Sequence, residues 1–217
     1  MSEKGGLSIE RFACAVILVL FVLLILTPII AAQYHETEVR VLITELYPDT
    51  AMMNEQDEYV AVTNFGVRPV NLEGWSITDT EGTLIFPAFE LSASQKIYVT
   101  RNASAFTAQQ SSVKQEGTKP VFEYGPDSDP RIPQLQTSGK TFALRNTGDE
   151  VILVNEAGEV VDAVMYGACN STGEGWCGAP LEKPREGMIL TRKGAQDTDQ
   201  GNEWLELSLG ASYHEPE

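Results

Sequence analysis

The sequence predicts an all-β fold, a sandwich or barrel, preceded by one transmembrane helix. Three observations carry this expectation. Short stretches rich in β-branched and aromatic residues alternate with clusters of Gly, Pro, Asn and Asp, helical periodicity is scarce, and a single long apolar run lies near the amino terminus.

The candidate strands are Val39–Leu46, Glu58–Asn64, Val70–Asp79, Thr83–Phe86, Lys96–Thr100, Thr141–Arg145, Glu150–Val154 and Val160–Tyr166. Eight strands suffice for two packed sheets. Asp79-Thr80-Glu81-Gly82 and Asn155-Glu156-Ala157-Gly158 each end a four-residue connection on Gly, the composition of a hairpin turn. Leu72, Trp75 and Ile77 are the expected core anchors of the third strand, with Gly74 marking a bulge that re-aims Trp75. Between Asn102 and Lys140 lies a long polar insertion, a length that in compact domains usually signals a functional segment. A short helix is expected near Ala103–Ser111, and Val121–Tyr124 carries enough apolar surface to dock back. Residues 168–217 are expected to form an irregular tail that packs partly through Ile189, Leu190 and Trp204. The division is thus a stub and membrane segment over 1–33, a sandwich over 39–167 and that tail.

From Phe12 to Ala32 only Thr27 and Pro28 interrupt apolar character, and about 20 such residues cross a bilayer as helix. The run exceeds the apolar core of a usual cleaved signal, so a retained anchor is expected over a cleaved one. Lys4 and Arg11 precede it, which places the amino terminus in the cytoplasm and the remainder outside. The chain has 31 acidic and 15 basic side chains, a net charge of −16. The four charges before the apolar run cancel, so the whole imbalance falls on the exported part. Nucleic acid and anionic lipid surfaces both reward Lys and Arg, so direct binding to either is disfavoured.

Cys14 lies in the apolar run, leaving Cys169 and Cys177 as the exported pair. An oxidising compartment favours a bridge, which would stabilise the fold by roughly 2 to 3 kcal/mol. The rival reading, half of a zinc site, needs two further ligands, and the histidines are His35 and His214 near opposite ends of the exported chain. Asn102-Ala-Ser104 and Asn170-Ser-Thr172 are glycosylation acceptor sequences.

The order of features resembles the lamin-tail domain, an Ig-like β-sandwich module of nuclear lamins and of many exported bacterial and archaeal proteins. The residues that carry the resemblance are Val41–Glu45, Glu58–Asn64, Val70–Asp79, Leu144–Leu153 and Gly158–Asp162, in that order. Beyond them, Arg192, Asp197-Thr198-Asp199 and Trp204 are similar to the stretch that often follows such modules. A narrower similarity links Gln95–Arg101 and Phe122–Pro130 to the region preceding the catalytic part of some archaeal phospholipase D-like nucleases. That enzyme family depends on a His-x-Lys motif, which this chain lacks, so the resemblance implies no activity of its own. Lamin-tail modules are associated with nucleic acid, protein or membrane partners, and the basic patches that serve DNA are missing here.

Gly173-Glu-Gly-Trp-Cys-Gly178 matches the letters of a dinucleotide fingerprint, but Pro180 and Pro184 replace the helix that must follow. Ser138-Gly-Lys-Thr141 resembles the end of a phosphate loop, with Gln134 standing where the leading glycine is needed. Calcium is the one cofactor the chain could admit, at Asp127 with Asp129 or Asp197 with Asp199, and neither pair has the spacing of a recognised calcium loop. The expectation is a non-catalytic module at the cell surface. It would engage a protein or surface polymer, or alternatively recruit a separately encoded phospholipase D-like catalytic partner.

Overall fold

In a computed structural model, the described residues are Leu20, 39–113, 118–169 and 174–211. The chain divides into two compact units, Met1–Glu38 and Val39–Glu217. The apolar run Phe12–Ala32 lies outside the described residues except for Leu20, and no described helix is long and apolar enough to cross a membrane.

The described residues of the second unit form a sandwich of two sheets. Thirteen strands are described: β1 (Val41–Tyr47), β2 (Tyr59–Asn64), β3 (Val70–Asn71), β4 (Ser76–Thr78), β5 (Gly82–Ile85), β6 (Glu90–Leu91), β7 (Lys96–Thr100), β8 (Phe122–Glu123), β9 (Gln136–Gly139), β10 (Gly148–Val154), β11 (Val160–Gly167), β12 (Met188–Arg192) and β13 (Trp204–Ser208). One sheet has the order β13-β12-β1-β2-β7-β8 and the other β11-β10-β4-β5-β9, while β3 and β6 make a small ribbon. All pairings inside the sheets are antiparallel except β7 with β8. The core lies between the sheets. Ile43, Val60, Val62, Ile97 and Val99 of the six-stranded sheet face Ile77, Leu84, Val151, Leu153 and Val164 of the other.

β1 is buried along its whole length, which requires cover on both faces. At the Tyr47 end the second cover is a ten-residue helix, α1 (Ala103–Ser112), started by Asn102, whose Oδ1 accepts the Ala105 N–H at 2.8 Å. Ala103, Phe106 and Gln110 form its buried face. Phe106 meets Tyr47, Tyr59 and Ile189 in a second apolar cluster, with its ring 5.4 Å from that of Tyr59.

The expected strand Val70–Asp79 is broken in two. Gly74 adopts φ +79°, and the Trp75 N–H turns back to the Leu72 carbonyl at 2.9 Å. β3 and β4 therefore join different sheets, and Leu72, Trp75 and Ile77 all point into the core. Both Gly-ended connections make hairpins, β4 to β5 and β10 to β11. The expected strand Thr141–Arg145 does not form. Its alternation is real, with Phe142 and Leu144 buried, but carboxylates take its amides: the Ala143 N–H donates to Asp79 Oδ2 and the Arg145 N–H to Asp149 Oδ2, each at 3.0 Å. The strand beside β5 is instead β9, which is exposed throughout.

The region expected to be an irregular tail contributes β12 and β13 to the six-stranded sheet, with β12 pairing directly to β1. What holds it is a buried ion cluster at a bulge. The pairing of β1 with β2 slips between Ile43 and Glu45, and β12 pairs with β1 only at Glu45 and Leu46, so beside the bulge the Ile43 peptide takes its partners from side chains. Asp162 of β11 accepts the Ile43 N–H at 2.6 Å, and Arg192 of β12 donates through Nε to the Ile43 carbonyl at 2.9 Å. Arg192 also reaches both Asp162 oxygens, at 2.6 and 2.8 Å, and Glu203 at 3.0 Å, with its guanidinium 4.9 Å from the centre of the Trp204 ring. The side chains of Arg192 and Asp162 are 1% and 0% exposed. Burial raises the Asp162 carboxyl above its ordinary range, against the pull of the guanidinium.

A buried pair of this kind adds little net stability against an apolar substitute, yet losing one partner strands the other charge. Asp162→Asn and Arg192→Met should each cost about 3 to 5 kcal/mol in denaturant unfolding. The double variant should cost clearly less than the sum of the two, and strict additivity would contradict the cluster.

Candidate functional site

The insertion between Asn102 and Lys140 is built around a buried carboxylate that the sequence did not single out. Glu123 of β8 has no exposure. Its oxygens accept the Ala103 N–H at 3.0 Å, the Ser128 N–H at 3.2 Å and Gln134 Nε2 at 3.0 Å, and the Ser128 hydroxyl donates to it at 2.5 Å. One side chain thus joins the start of α1, the Asp127–Asp129 turn and the approach to β9. A carboxylate with this many donors needs no counter-cation.

A second buried acid stands nearby. Glu58, immediately before β2, has a side chain 1% exposed, accepts the Tyr124 hydroxyl at 2.7 Å and lies 3.8 Å from Arg101 Nη1. Burial pushes its carboxyl up to about 7, with Tyr124 and Arg101 opposing. Above it opens a groove of about 560 Å3 between two chain segments. Tyr124, Gly125 and Pro126 line one wall with Arg101, Thr137 and Gly139 to Phe142 line the other, and Leu84 lies at the base. The walls are held by backbone. The Gly125 N–H donates to the Arg101 carbonyl at 2.9 Å and the Lys140 N–H to the Glu81 carbonyl at 2.9 Å. A Cβ on Gly125 would come within 2.4 Å of the Arg101 carbonyl oxygen, so this close approach needs glycine. A further groove, of about 510 Å3, runs along α1 between Ser104, Thr107 and Ser111 on one side and Lys119, Arg131 and Ile132 on the other.

The candidate calcium ligands are not gathered into a site. Asp127 is exposed. Asp129 is held well below the usual range, at about 2, by the Arg131 guanidinium, which donates to both of its oxygens. Asp197 lies 3.2 Å from Arg192, and Asp199 uses its carbonyl to accept the Cys177 N–H at 2.6 Å. Among the described residues no group of three or more His, Cys, Asp or Glu could hold a metal. The structure also departs from the expected bridge, since no bond joins Cys169 to Cys177. The Cys169 N–H is held by the Gly167 carbonyl at the end of β11, whereas Cys177 is exposed and its backbone is tied to the Asp199 loop. Of the dinucleotide-like letters, Glu174 to Gly178 are described, Gly175 has φ +84°, and no helix directly follows them among the described residues. Asn102 is occupied as the helix cap, while Asn170, His35 and His214 lie outside the described residues.

The Glu58 geometry gives a pH dependence of defined sign. Folding raises this pKa, so the folded state binds the proton more tightly than the unfolded chain. The associated stability is fully present below about pH 4.5 and is lost as pH rises through about 7. Glu58→Gln should remove up to about 3 kcal/mol of the difference in unfolding free energy between pH 5 and pH 8. Identical pH profiles for the variant and the natural protein would contradict this reading of Glu58.

Comparison with known proteins bears on the fold. The family model described as Lamin Tail Domain matches residues 35–168. No curated protein matches. Among solved structures, a DUF4876-family protein from Bacteroides thetaiotaomicron is similar at 13% identity, with a TM-score of 0.54 over 77% of this chain and 71% of that one. At that identity the likeness concerns the fold alone. With the ordered markers from Val41 to Asp162, the two-sheet sandwich they build and a family match across more than half of the sequence, this chain belongs to the Lamin Tail Domain family.

Proposed function

We propose that the protein is a non-catalytic interaction module, tethered to the membrane through Phe12–Ala32, that engages a protein or cell-surface polymer outside the cytoplasm through its Asn102–Lys140 insertion. The observation that carries this reading is the construction of the insertion. A surface loop without a role has no need of a fully buried carboxylate, yet Glu123 holds α1, the Ser128 turn and Gln134 in fixed relation. The result is two concave surfaces on one flank, both lined by insertion residues. Membership of a family of Ig-like modules supports an interaction role in general terms, and the apolar run with its preceding Lys4 and Arg11 supports the tether.

A second reading has its own observation. The two segments similar to the region preceding the catalytic part of phospholipase D-like nucleases, Gln95–Arg101 and Phe122–Pro130, come together as the parallel pair β7 and β8. A module that docks a separately encoded catalytic partner would present such a contiguous surface. A neighbouring reading frame with a His-x-Lys motif would favour it over the first reading.

Site-specific photo-crosslinking of the full chain in its native membrane tests the proposal. Crosslinkers at Thr107, Arg131 and Thr141 should give adducts with an extracytoplasmic macromolecule, and the chain should resist extraction by alkaline carbonate. Adducts confined to crosslinkers at Glu156 and Arg185, away from the insertion, would overturn the assignment of the surface, and release by carbonate would overturn the tether.

A further inference from the structure

Beyond the pairing of Glu123 with Gln134 the chain opens like a fork. At that point β8 and the approach to β9 touch as a parallel bridge. Further on they separate: Tyr124 and Gly125 bond back to Thr100 and Arg101 of the six-stranded sheet, while β9 pairs with β5 of the other. The groove of about 560 Å3 is the space between the two prongs. β9 ends the five-stranded sheet, so its second edge pairs with no strand among the described residues. All four of its residues, Gln136 to Gly139, are exposed, and none is proline. Such an edge carries backbone donors and acceptors that accept an added strand.

The charge of the fork departs from that of the molecule. The chain carries −16, yet none of the ten residues lining this groove is acidic, and two of them, Arg101 and Lys140, are cations. The Lys140 side chain is 77% exposed and, among the described residues, shares its one carboxylate partner, Glu81, with Arg145. Arg101 donates to the Asn54 carbonyl at 3.3 Å, and its nearest carboxylate is Glu58, at 3.8 Å, which is already engaged by Tyr124. Thr137 and Gly139, alternate residues of β9, line the groove, so a strand laid on that edge would direct every second side chain between the cations.

We infer that the fork is a binding site for an extended peptide segment of a partner protein, added as a strand to the open edge of β9 with its Asp or Glu side chains received by Arg101 and Lys140. This rests on the reading of the insertion as the interaction surface and names the chemistry of what it takes. Backbone pairing supplies affinity, and the two cations select acidic side chains at alternate positions.

The test uses the full chain in detergent micelles and a fluorescein-labelled peptide of alternating Thr and Glu, followed by anisotropy. The peptide should bind, and its Gln counterpart should bind at least about tenfold more weakly, the loss of one charge-assisted contact or more. Lys140→Glu, a change at an exposed position, should weaken the Glu peptide and leave the Gln peptide unaffected. Methylating alternate peptide nitrogens should abolish binding in one register and spare it in the other. A polygalacturonate oligomer supplies carboxylates without a peptide backbone; binding as tight as the Glu peptide, or indifference to methylation in both registers, would overturn the strand-addition proposal. Failure of the peptide to bind, while crosslinks from the insertion to a partner persist, would overturn this inference and leave the broader interaction role standing.

Discussion

The sandwich depends on the peptide of Ile43. Beside the bulge in β1, two side chains from distant parts of the chain receive its N–H and carbonyl, Asp162 from the opposite sheet and Arg192 from β12. Each of these side chains also binds the other, so β1 meets two segments more than a hundred residues further along the chain at one buried point. An unsatisfied backbone group in a core costs on the order of 1 to 3 kcal/mol, and a stranded charge costs more. Arg192 keeps Glu203 and Asp197 as further partners, whereas Asp162 has Arg192 as its one cationic partner among the described residues. The bulge also shifts the alternation of β1, placing Ile43 and Leu46 inside and Glu45 on the outer face.

This constraint makes the carboxyl-terminal hairpin part of the domain, although the family match ends at residue 168. β12 continues the sheet beside β1, Ile189 enters the cluster beneath α1, and Trp204 packs against the guanidinium of Arg192. With that side of the six-stranded sheet filled by β12 and β13, the opposite flank is the one where the sheets part, at β8 and β9. The same chemistry recurs there. Glu123 and Glu58 are buried acids satisfied by hydroxyls and amides, and they fix the two walls of the groove proposed as the binding surface.

Much of the fold is legible in the sequence because it rests on local patterns. β7 occupies the very residues expected, and the Gly-ended turns form hairpins because Gly158 and Thr80 supply the positive φ that those connections need. Three features escape the pattern for physical reasons. β9 is polar and exposed on both faces, so no alternation announces it. Thr141–Arg145 alternates like a strand, but its backbone is bound by Asp79 and Asp149, which local propensity does not register. β12 and β13 are short, separated by a polar loop, and earn their place through Arg192, a residue whose type suggests surface. Of the candidate site, the Asn102–Lys140 insertion was visible as a long polar connection. Glu58 and Glu123 were not, because in a chain with 31 acidic residues a carboxylate stands out only by its burial.

If the Ile43 peptide joins the hairpin to the sandwich, the two open together. Native-state amide hydrogen exchange measures this directly. The slowest-exchanging amides of β12 should share the opening free energy of those in β1 and β2, as one cooperative unit. Fast exchange across β12 and β13, with β1 and β2 still fully protected, would show that the sandwich stands without them and would contradict the account.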